Sequence, residues 1–378
     1  MTDFLNEVKG QEQSKKIIRS ILNTSKIPHA FLFTGKEGIG KFHFAIKMLQ
    51  TINSQNSSDK EKDLRNQKLI LRYAEPLVKL IFALPRGKNE NDSSSPFEKL
   101  SQDEIQLITS ELETKIINPY HKIVIPKAND IKISSVRDIN RFLSFSYDDV
   151  KFRSVIIIDA HLMNEPSQNA LLKNLEEPPD GVLFILITPY PEQLRETIRS
   201  RCWQINFQTL EAGEISEILN IYYSVEKKLS EKIAAFSNGS IENALTLLDY
   251  DIDKLLEQTI SFLRFSLGGR FDEALITGNW FISQEKSDML KILISLILTW
   301  LSDVVRSRKG DNNIFFNEYS DTIKKFNSRF QNISLSEIMF VLDQLSSEID
   351  RNVNQNIILL KMVYELAFLI SRSPARVA

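Results

Sequence analysis

Short apolar runs alternate with helical patterns through the first half of the chain. Continuous apolar runs at 30–34, 154–159 and 182–188 are typical of central parallel strands, because such strands are covered on both faces. Apolar residues at helical spacing precede or separate these runs, at 11–22, 134–144 and 167–177. Strands that alternate with helices in this way predict an α/β fold with a parallel sheet.

The segment 54–118 departs from this pattern. It combines a charged helical piece, 59–75, with a polar tract, 86–96, whose composition is too polar to form a packed core. We interpret the segment as an insertion that contains a mobile loop. The short apolar run 121–126 follows it and predicts a further strand.

Helical patterns alone continue from residue 211 onward. Two helical patterns flank a Ser-Asn-Gly-Ser turn at 237–240 and predict a small helical lid. Longer apolar helices at 290–305 and 353–372 predict a separate helical domain. The patterns therefore divide the chain into a parallel-sheet core, a helical lid and a helical C-terminal domain, at 1–208, 209–250 and 251–378.

Composition narrows the classes of function that remain. The 47 Lys and Arg residues balance 49 Asp and Glu residues, so any contact with nucleic acid has to be local or shared with partners. Cys202 is the only cysteine, which excludes an internal disulfide and a multi-cysteine zinc site. The N-terminus lacks a signal-peptide pattern, and the apolar stretch 289–301 falls short of the ~20 residues of a membrane span. We therefore expect a cytoplasmic protein without membrane contact.

The turn after the first predicted strand has the spacing of a phosphate-binding loop. Gly35, Gly40 and Lys41 match G-x-x-x-x-G-K, and Gly38 lies inside the same turn. Glycines let backbone N–H groups close around phosphate oxygens, and the lysine reaches the terminal phosphates. The next position holds Phe42 instead of the Ser or Thr that coordinates magnesium. A tight glycine turn with a solvated lysine remains the alternative.

Polar residues also end two of the predicted strands. Asp159 has the position of a carboxylate that holds magnesium through water, and capping of the following helix is the alternative. Ala160 stands where an ATPase normally carries a second acid as general base. Thr188 is a candidate to contact a phosphate, or it only ends its strand. His29 and His43 have no partner at metal-ligand spacing, which favours packing or capping.

Three runs of sequence carry a family resemblance, namely 27–35, 169–179 and 197–202. In order and spacing they resemble the bacterial clamp-loader subunits of the AAA+ superfamily, and the resemblance covers about residues 1–250. It implies an AAA+ P-loop core, a helical lid and a C-terminal collar domain for oligomerisation. Many members of the family carry a four-cysteine zinc module where this chain has the insertion. This chain has no cysteine there, and this departure from the family pattern predicts no zinc.

Within that family, the resemblance separates two types of subunit. Motor subunits carry Ser or Thr at the position of Phe42, an acid at Ala160 and a lid arginine at Glu242. Their joint absence implies the delta-prime type, a stator that does not hydrolyse ATP, while binding of ATP or ADP without hydrolysis stays open. The alternative is an ATP-hydrolysing, gamma/tau-like motor subunit.

The resemblance also assigns a role to Arg201, in the run Ser200–Cys202. The equivalent arginine acts in trans on ATP held by a neighbouring subunit, where it stabilises the charge of the transition state. The alternative is a surface arginine in a solvated ion pair. The implied partners are motor and delta-type subunits, with the sliding clamp and primed DNA reached through the complex. Cys202 itself is expected to be a packing residue.

Overall fold

The computed structural model describes residues 3–371, except 25, 55–59, 88–94, 146, 285–288, 312–313, 332 and 351–352. Within these residues the chain forms two compact units. The first unit continues through Ser224 and also includes Gly239–Glu242. The second unit comprises Val225–Asn238 and the chain from Asn243 onward.

The first unit contains a parallel sheet of five strands. They are β1 (Ala30–Thr34), β2 (Val78–Ile81), β3 (Arg153–Ile157), β4 (Val182–Thr188) and β5 (Trp203–Asn206). Their order across the sheet is β2-β3-β4-β1-β5. In this register Thr34 lies level with Thr188 and Asn206, so the carboxyl ends of the central strands meet at one edge. The predicted α/β fold class with a parallel sheet is confirmed.

Eight α-helices belong to the described part of the first unit. They are α1 (Glu12–Leu22), α2 (Lys41–Asn53), α3 (Lys60–Leu71), α4 (Gln102–Ile117), α5 (Ile133–Ser144), α6 (Glu165–Glu176), α7 (Glu196–Arg199) and α8 (Ala212–Tyr223). Short 3₁₀ helices lie at Phe4–Glu7, Ala160–Leu162 and Pro191–Gln193. The predicted helices at 134–144 and 167–177 are confirmed as α5 and α6.

Alternate side chains of the central strands pack against helices on the two faces of the sheet. Leu32 of β1 belongs to a buried cluster with Phe142 of α5 and Leu171 of α6. Phe33 points to the other face, where its ring centroid lies 5.8 Å from that of Phe44 on α2. Cys202 packs against the first cluster, and burial raises the pKa of its thiol to about 12.

Three strand assignments differ from the sequence prediction. The segment 121–126 is not a strand: Lys122 and Val124 are exposed and no neighbouring strand pairs with them. The edge position beside β3 is taken by β2, from within the predicted insertion, with Val78 level with Ser154. The short strand β5 was also not predicted, and three of its four residues are exposed. The predicted mobile loop includes 88–94, which lie outside the described residues.

The described part of the second unit contains helices and connecting segments, and no strand. Its helices are α9 (Lys227–Phe236), α10 (Ile241–Asp249, which begins in the first unit), α11 (Ile252–Leu267), α12 (Phe271–Ile282), α13 (Met289–Arg308), α14 (Ser320–Arg329), α15 (Ser336–Asp350) and α16 (Gln355–Ser371), with a 3₁₀ helix at Asn317–Tyr319. The predicted helical C-terminal domain is confirmed.

The core of the second unit forms around α13. Trp300 of α13 is buried and makes an edge contact with Phe326, at 5.2 Å between ring centroids. Helices α12 and α16 approach closely because Gly278 leaves room for Leu359, whose Cδ1 lies 2.3 Å from the point a Cβ would occupy. None of the helices in the described part of the chain has the length and apolar content needed to cross a bilayer.

Candidate functional site

The loop between β1 and α2 has the backbone of a glycine-rich turn. Gly35, Gly38 and Gly40 all have positive φ, at 130°, 68° and 86°, which side chains other than glycine adopt only with strain. A Cβ at Gly35 would lie 2.5 Å from the carbonyl oxygen of Phe207, and a Cβ at Gly38 would lie 2.6 Å from the backbone nitrogen of Glu242. The loop therefore has the backbone shape that the motif predicts.

Lys41, the first residue of α2, directs its side chain back into this loop. Its Nζ donates to the carbonyl of Gly35 at 2.6 Å and also to the carbonyl of Lys36. Burial lowers the pKa of Lys41 to about 8, while Glu37, Asp159 and Glu242 act to raise it. The ammonium group is thus held by carbonyls of its own loop, not solvated as the alternative interpretation has it.

Phe42 is buried at the start of α2 and cannot act as a metal ligand. Its ring contacts the ring of Tyr73 edge-on at 5.0 Å. The ammonium of Lys115, from α4, lies 4.4 Å from the centroid of the Phe42 ring. Burial lowers the pKa of Lys115 to about 8, with Asp159 the leading group that opposes this shift. A lysine of the insertion therefore lies beside the position from which a hydroxyl would coordinate magnesium.

Tyr120 covers the end of the loop. Its ring lies 3.2 Å from the point where a Cβ of Gly40 would stand. The hydroxyl lies 3.4 Å from Nδ1 of His43, and the ring also packs against Tyr222. Burial lowers the pKa of His43 to about 3, with Lys47 and Lys115 adding to this effect. His43 is therefore a neutral packing residue.

Glu242, at the position of the missing lid arginine, is paired with a lysine of the chain. Nζ of Lys122 lies 2.5 Å from Oε1 of Glu242 and 3.3 Å from Oε2 of Glu37. Burial acts to lower the pKa of Lys122, but Glu37 and Glu242 outweigh it and raise that pKa. Burial, together with repulsion from Glu37, raises the pKa of Glu242 to about 7. One ammonium thus pairs with two neighbouring carboxyl groups.

Asp159 follows β3 with left-handed backbone angles, φ 51° and ψ 50°. Its side chain makes no capping hydrogen bond to the 3₁₀ helix after it, so the capping alternative is not what the structure shows. Burial raises the pKa of Asp159 and repulsion from Glu37 adds to it, while His161, Lys122 and Lys41 lower it. Ala160 beside it is fully buried and supplies no base.

Thr188, the last residue of β4, has its hydroxyl bonded within the chain. The hydroxyl accepts from the backbone N–H of Tyr190 at 3.0 Å and lies 3.1 Å from Nδ1 of His161. Thr188 is fully buried. It lies at the same sheet edge as the loop, but its role toward a phosphate stays a prediction.

Arg201 lies apart from the loop, just before β5. Its guanidinium pairs with Glu176 of α6 at 2.8 Å and donates to the carbonyl of Thr197 at 2.9 Å. The side chain is 35% exposed. In the isolated chain Arg201 thus makes the surface ion pair that the alternative interpretation describes, and its action in trans stays a prediction.

The three runs that carry the family resemblance meet around α6. His29 donates from Nε2 to the carbonyl of Leu175 at 3.1 Å, which joins the first run to the second. The pair between Glu176 and Arg201 joins the second run to the third. These contacts bring the three runs together in the fold.

The segment 115–122 brings side chains to the loop that the sequence did not predict. Lys115, Tyr120 and Lys122 contact Phe42, Gly40 and Glu242 respectively. The segment begins at the end of a helix with polar faces and continues as irregular chain, so no apolar periodicity marks it. The one local feature in the sequence is that two lysines, Lys115 and Lys122, flank the aromatic residue Tyr120 just after the insertion.

Several curated proteins resemble this chain over about two thirds of its length. The DNA polymerase III subunit gamma of Buchnera aphidicola subsp. Acyrthosiphon pisum is 26% identical over 256 residues, which are 66% of this chain and 59% of that protein. The DNA polymerase III subunit tau of Escherichia coli is 27% identical over 252 residues, which are 65% of this chain and 32% of that protein. The chain therefore covers less than two thirds of the length of these curated relatives.

Solved structures and a family model complete the comparison. A DNA polymerase III gamma subunit-related protein from Thermotoga maritima aligns with 96% of this chain and 99% of its own, at TM-score 0.42 and 14% identity. The DNA clamp loader delta protein of Bacillus subtilis aligns with 94% of this chain and 99% of its own, at TM-score 0.27 and 12% identity. The family model described as DNA polymerase III, delta subunit, matches residues 10–211, more than half of the 378 residues, and the chain therefore belongs to that family.

Proposed function

We propose that the chain is a delta-prime-type subunit of the clamp loader of DNA polymerase III. In this role it is a stator that assembles with motor and delta-type subunits and does not turn over ATP itself. It supplies Arg201 to ATP on a neighbouring subunit, and the complex loads the sliding clamp onto primed DNA in the cytoplasm. Bound ATP or ADP is not needed in its own loop, and no zinc is needed in the insertion.

The observation that carries this proposal is the set of side chains around the phosphate loop. Hydrolysis of ATP needs a magnesium ligand, a base for the attacking water and cations for the phosphates. Phe42 packs against Lys115 where the ligand belongs, Ala160 is buried where the base belongs, and Glu242 is bonded to Lys122. None of these three positions offers the group that hydrolysis needs, which favours a subunit without turnover.

The position of Arg201 in the fold supports action on a neighbour. Because β1 and β5 are parallel and Phe31 is level with Trp203, Arg201 lies level with the residues before β1. The loop begins after β1, so about 20 Å of extended strand separates the two levels. A guanidinium at the amino edge of the sheet does not reach a phosphate in its own loop.

The helical unit offers a surface for assembly. Ile357, Leu360 and Tyr364 lie on one face of α16 at intervals of three and four residues, and they are 61%, 43% and 58% exposed. Large apolar side chains grouped on an exposed face are typical of protein–protein interfaces. This face favours a collar role for the unit, with other clamp-loader subunits as partners.

The second candidate is an ATP-hydrolysing motor subunit. It is favoured by the names of the curated relatives, which are gamma and tau subunits. Lys41 is also in place, because it closes the loop as the motif requires. The two candidates differ in one respect that an experiment can measure, which is whether the loop of this chain takes part in turnover.

The test of the proposal is reconstitution of the clamp loader with this chain, the motor subunit and the delta-type subunit. We expect Arg201→Ala to lower the DNA-stimulated ATPase of the complex by roughly 10³-fold at the site it serves. Arg141→Ala is the matched control, because that arginine is also exposed and paired with a carboxylate, Asp138. Equal ATPase for wild type and Arg201→Ala would overturn the trans role.

Lys41→Ala separates the two candidates in the same assay. A motor subunit needs this lysine at the terminal phosphates, so its replacement removes the ATPase contributed by this chain. A stator does not, and the complex with Lys41→Ala keeps the wild-type rate. Hydrolysis by the purified chain that depends on magnesium and Lys41 would favour the motor candidate.

A further inference from the structure

The phosphate loop is bonded to the segment 239–242, which is distant in sequence but belongs to the same compact unit. The backbone N–H of Ile241 donates to the carbonyl of Gly38 at 2.9 Å. The hydroxyl of Ser240 donates to the carbonyl of Glu37 at 2.9 Å. Gly38 has no room for a Cβ against Ser240 and Glu242. The loop and this segment are therefore in direct backbone contact.

This contact places two carboxyl groups side by side. Glu37 lies on the loop and Glu242 on the segment, and their side chains are 35% and 27% exposed. Two neighbouring carboxylates repel each other, and partial burial strengthens this repulsion. Glu37 raises the pKa of Glu242 and Lys122 acts against this shift, so a cation beside the pair favours its ionised form.

Lys122 is that cation, and it comes from a third element. Its Nζ reaches both Glu242 and Glu37, at 2.5 Å and 3.3 Å. It extends from the irregular chain after α4, whose Tyr120 also packs over Gly40. One ammonium group thus connects the loop, the segment 239–242 and the irregular chain that follows α4.

We propose that Lys122 holds the phosphate loop against the segment 239–242 through its ion pairs with Glu37 and Glu242, a contact that we call the clasp. With the clasp formed, the conformation of the loop does not depend on nucleotide. In a loop that binds nucleotide, the anionic phosphates draw cations toward the loop. Here the loop side carries a carboxylate instead, and the balancing cation is built into the chain. Lys41 supports the same conclusion, because its ammonium is already bonded to the carbonyls of Gly35 and Lys36. The clasp rests on the proposed non-hydrolysing role, to which it gives a structural cause.

Hydrogen exchange of backbone amides on the full-length chain tests the clasp. We expect the amides of 35–41 and 239–245 to exchange in wild type at the same rate with and without millimolar magnesium-ATP. In Lys122→Gln the two carboxylates lose their common cation, and exchange of these amides becomes about tenfold faster. Amides of β4 serve as the internal reference and keep their rate.

Two further variants make the result specific to the charge. Lys122→Arg retains a cation and is expected to stay within about twofold of wild type. Lys99 lies in the insertion and pairs with its neighbour Glu98, and we expect Lys99→Gln to leave both segments unchanged. The clasp is refuted if Lys122→Gln exchanges like wild type, or if magnesium-ATP slows exchange of the wild-type loop.

The outcome is independent of the Arg201 experiment. A wild-type loop that ignores nucleotide, together with an inert Lys122→Gln substitution, removes the clasp and leaves the stator role standing. A loop protected by nucleotide, together with an ATPase that requires Lys41 in the complex, removes the stator role itself. Loss of ATPase in Arg201→Ala supports the stator role alone, and faster exchange in Lys122→Gln supports the clasp alone.

Discussion

Arg201 and Glu176 form an ion pair of 2.8 Å that joins two separate sequence runs of this family, one on α6 and one just before β5. Both side chains are partly exposed, at 35% and 49%. In the isolated chain the carboxylate of Glu176 thus holds the guanidinium near α6. In the proposed trans role, an anionic phosphate of a neighbouring subunit would compete with this carboxylate for the same donor groups.

The exposure of this pair predicts that Arg201 contributes little to folding. Exposed ion pairs are typically worth less than about 1 kcal/mol, because solvent screens the charges and the side chains lose entropy. We expect Arg201→Ala to change the free energy of unfolding, measured with urea, by less than about 1 kcal/mol. A much larger loss would mean that any loss of ATPase in the complex reports damage to the fold. Arg201→Lys keeps the positive charge but loses the planar guanidinium with its paired donors. We therefore expect the ATPase of the complex with Arg201→Lys to be as low as that with Arg201→Ala.

Restoring the missing hydroxyl at Phe42 is expected not to restore turnover. Phe42→Thr removes a buried ring that contacts Tyr73 and Lys115, and we expect a loss of about 2 to 4 kcal/mol in unfolding free energy. Ala160 and Glu242 remain as they are, so the base and the lid cation are still missing. The purified variant should therefore show no magnesium-dependent ATPase above wild type.

Phe42→Leu is the control for the previous substitution, since it keeps an apolar side chain of similar reach and introduces no hydroxyl. Its loss of stability should be smaller than that of Phe42→Thr. Appearance of ATPase in the threonine variant alone would show that a metal ligand is the only part this site lacks. That result would contradict the stator interpretation.

The raised pKa of Glu242 predicts how stability depends on pH. Burial and the repulsion from Glu37 raise this pKa from 4.5 to about 7, so between these values the folded chain keeps a proton that the unfolded chain releases. Stability is then greatest below pH 4.5 for this group and falls as the pH rises toward 7. Glu242→Gln cannot ionise, and we expect it to stabilise the chain by about 1 to 3 kcal/mol at pH 8.

Urea unfolding of wild type and Glu242→Gln from pH 4.5 to pH 8 measures this effect. The difference between the two proteins should be close to zero at the acid end and grow with pH. Glu217→Gln is a suitable comparison, because Glu217 pairs with Lys9 on the surface and is 59% exposed. A difference that is constant with pH would show that Glu242 is already ionised throughout the range.

The strands and helices of the core were predictable where apolar residues run without interruption. The run 182–188 is β4 with the same bounds, and 30–34 is β1. β2 escaped prediction because it is only four residues long and contains Lys79. That lysine is buried beside β3 because Asp138 of α5 pairs with it at 2.5 Å, a contact between distant segments that no local pattern reveals.

The apolar run 121–126 misled for a related reason. Its consecutive apolar residues, 123–125, resemble a strand. The segment is irregular instead, and its Lys122 forms ion pairs with Glu37 and Glu242. Tertiary contacts override local propensity in such short segments. The glycines and Lys41 of the loop were predictable because they occur at the fixed spacing of a phosphate-loop motif. Lys115, Tyr120 and Lys122, which contact residues at the loop, follow no such spacing. The family predicted from the sequence is confirmed, and the delta-prime type within it stays a prediction.

Two glycines of the loop allow a matched test of how tightly the segment 239–242 lies against it. Gly38 and Gly40 both have positive φ, so an alanine at either position carries a similar backbone strain of about 1 to 2 kcal/mol. A Cβ at Gly38 also meets the backbone nitrogen of Glu242 and the hydroxyl of Ser240 at 2.6 Å, whereas a Cβ at Gly40 meets the Tyr120 ring only at 3.2 Å. Backbone yields less readily than a ring edge, so the two substitutions should differ in cost.

We therefore expect Gly38→Ala to lower the unfolding free energy by about 2 to 4 kcal/mol and Gly40→Ala by about 1 to 2 kcal/mol. Urea unfolding at constant pH compares the two variants directly. The segment 239–242 has to move away in Gly38→Ala, so protection of the Ile241 amide should fall in this variant and not in Gly40→Ala. Equal costs for both substitutions would indicate that the segment moves aside freely, because only a fixed segment makes the Cβ at Gly38 more expensive than the strain that the two positions share.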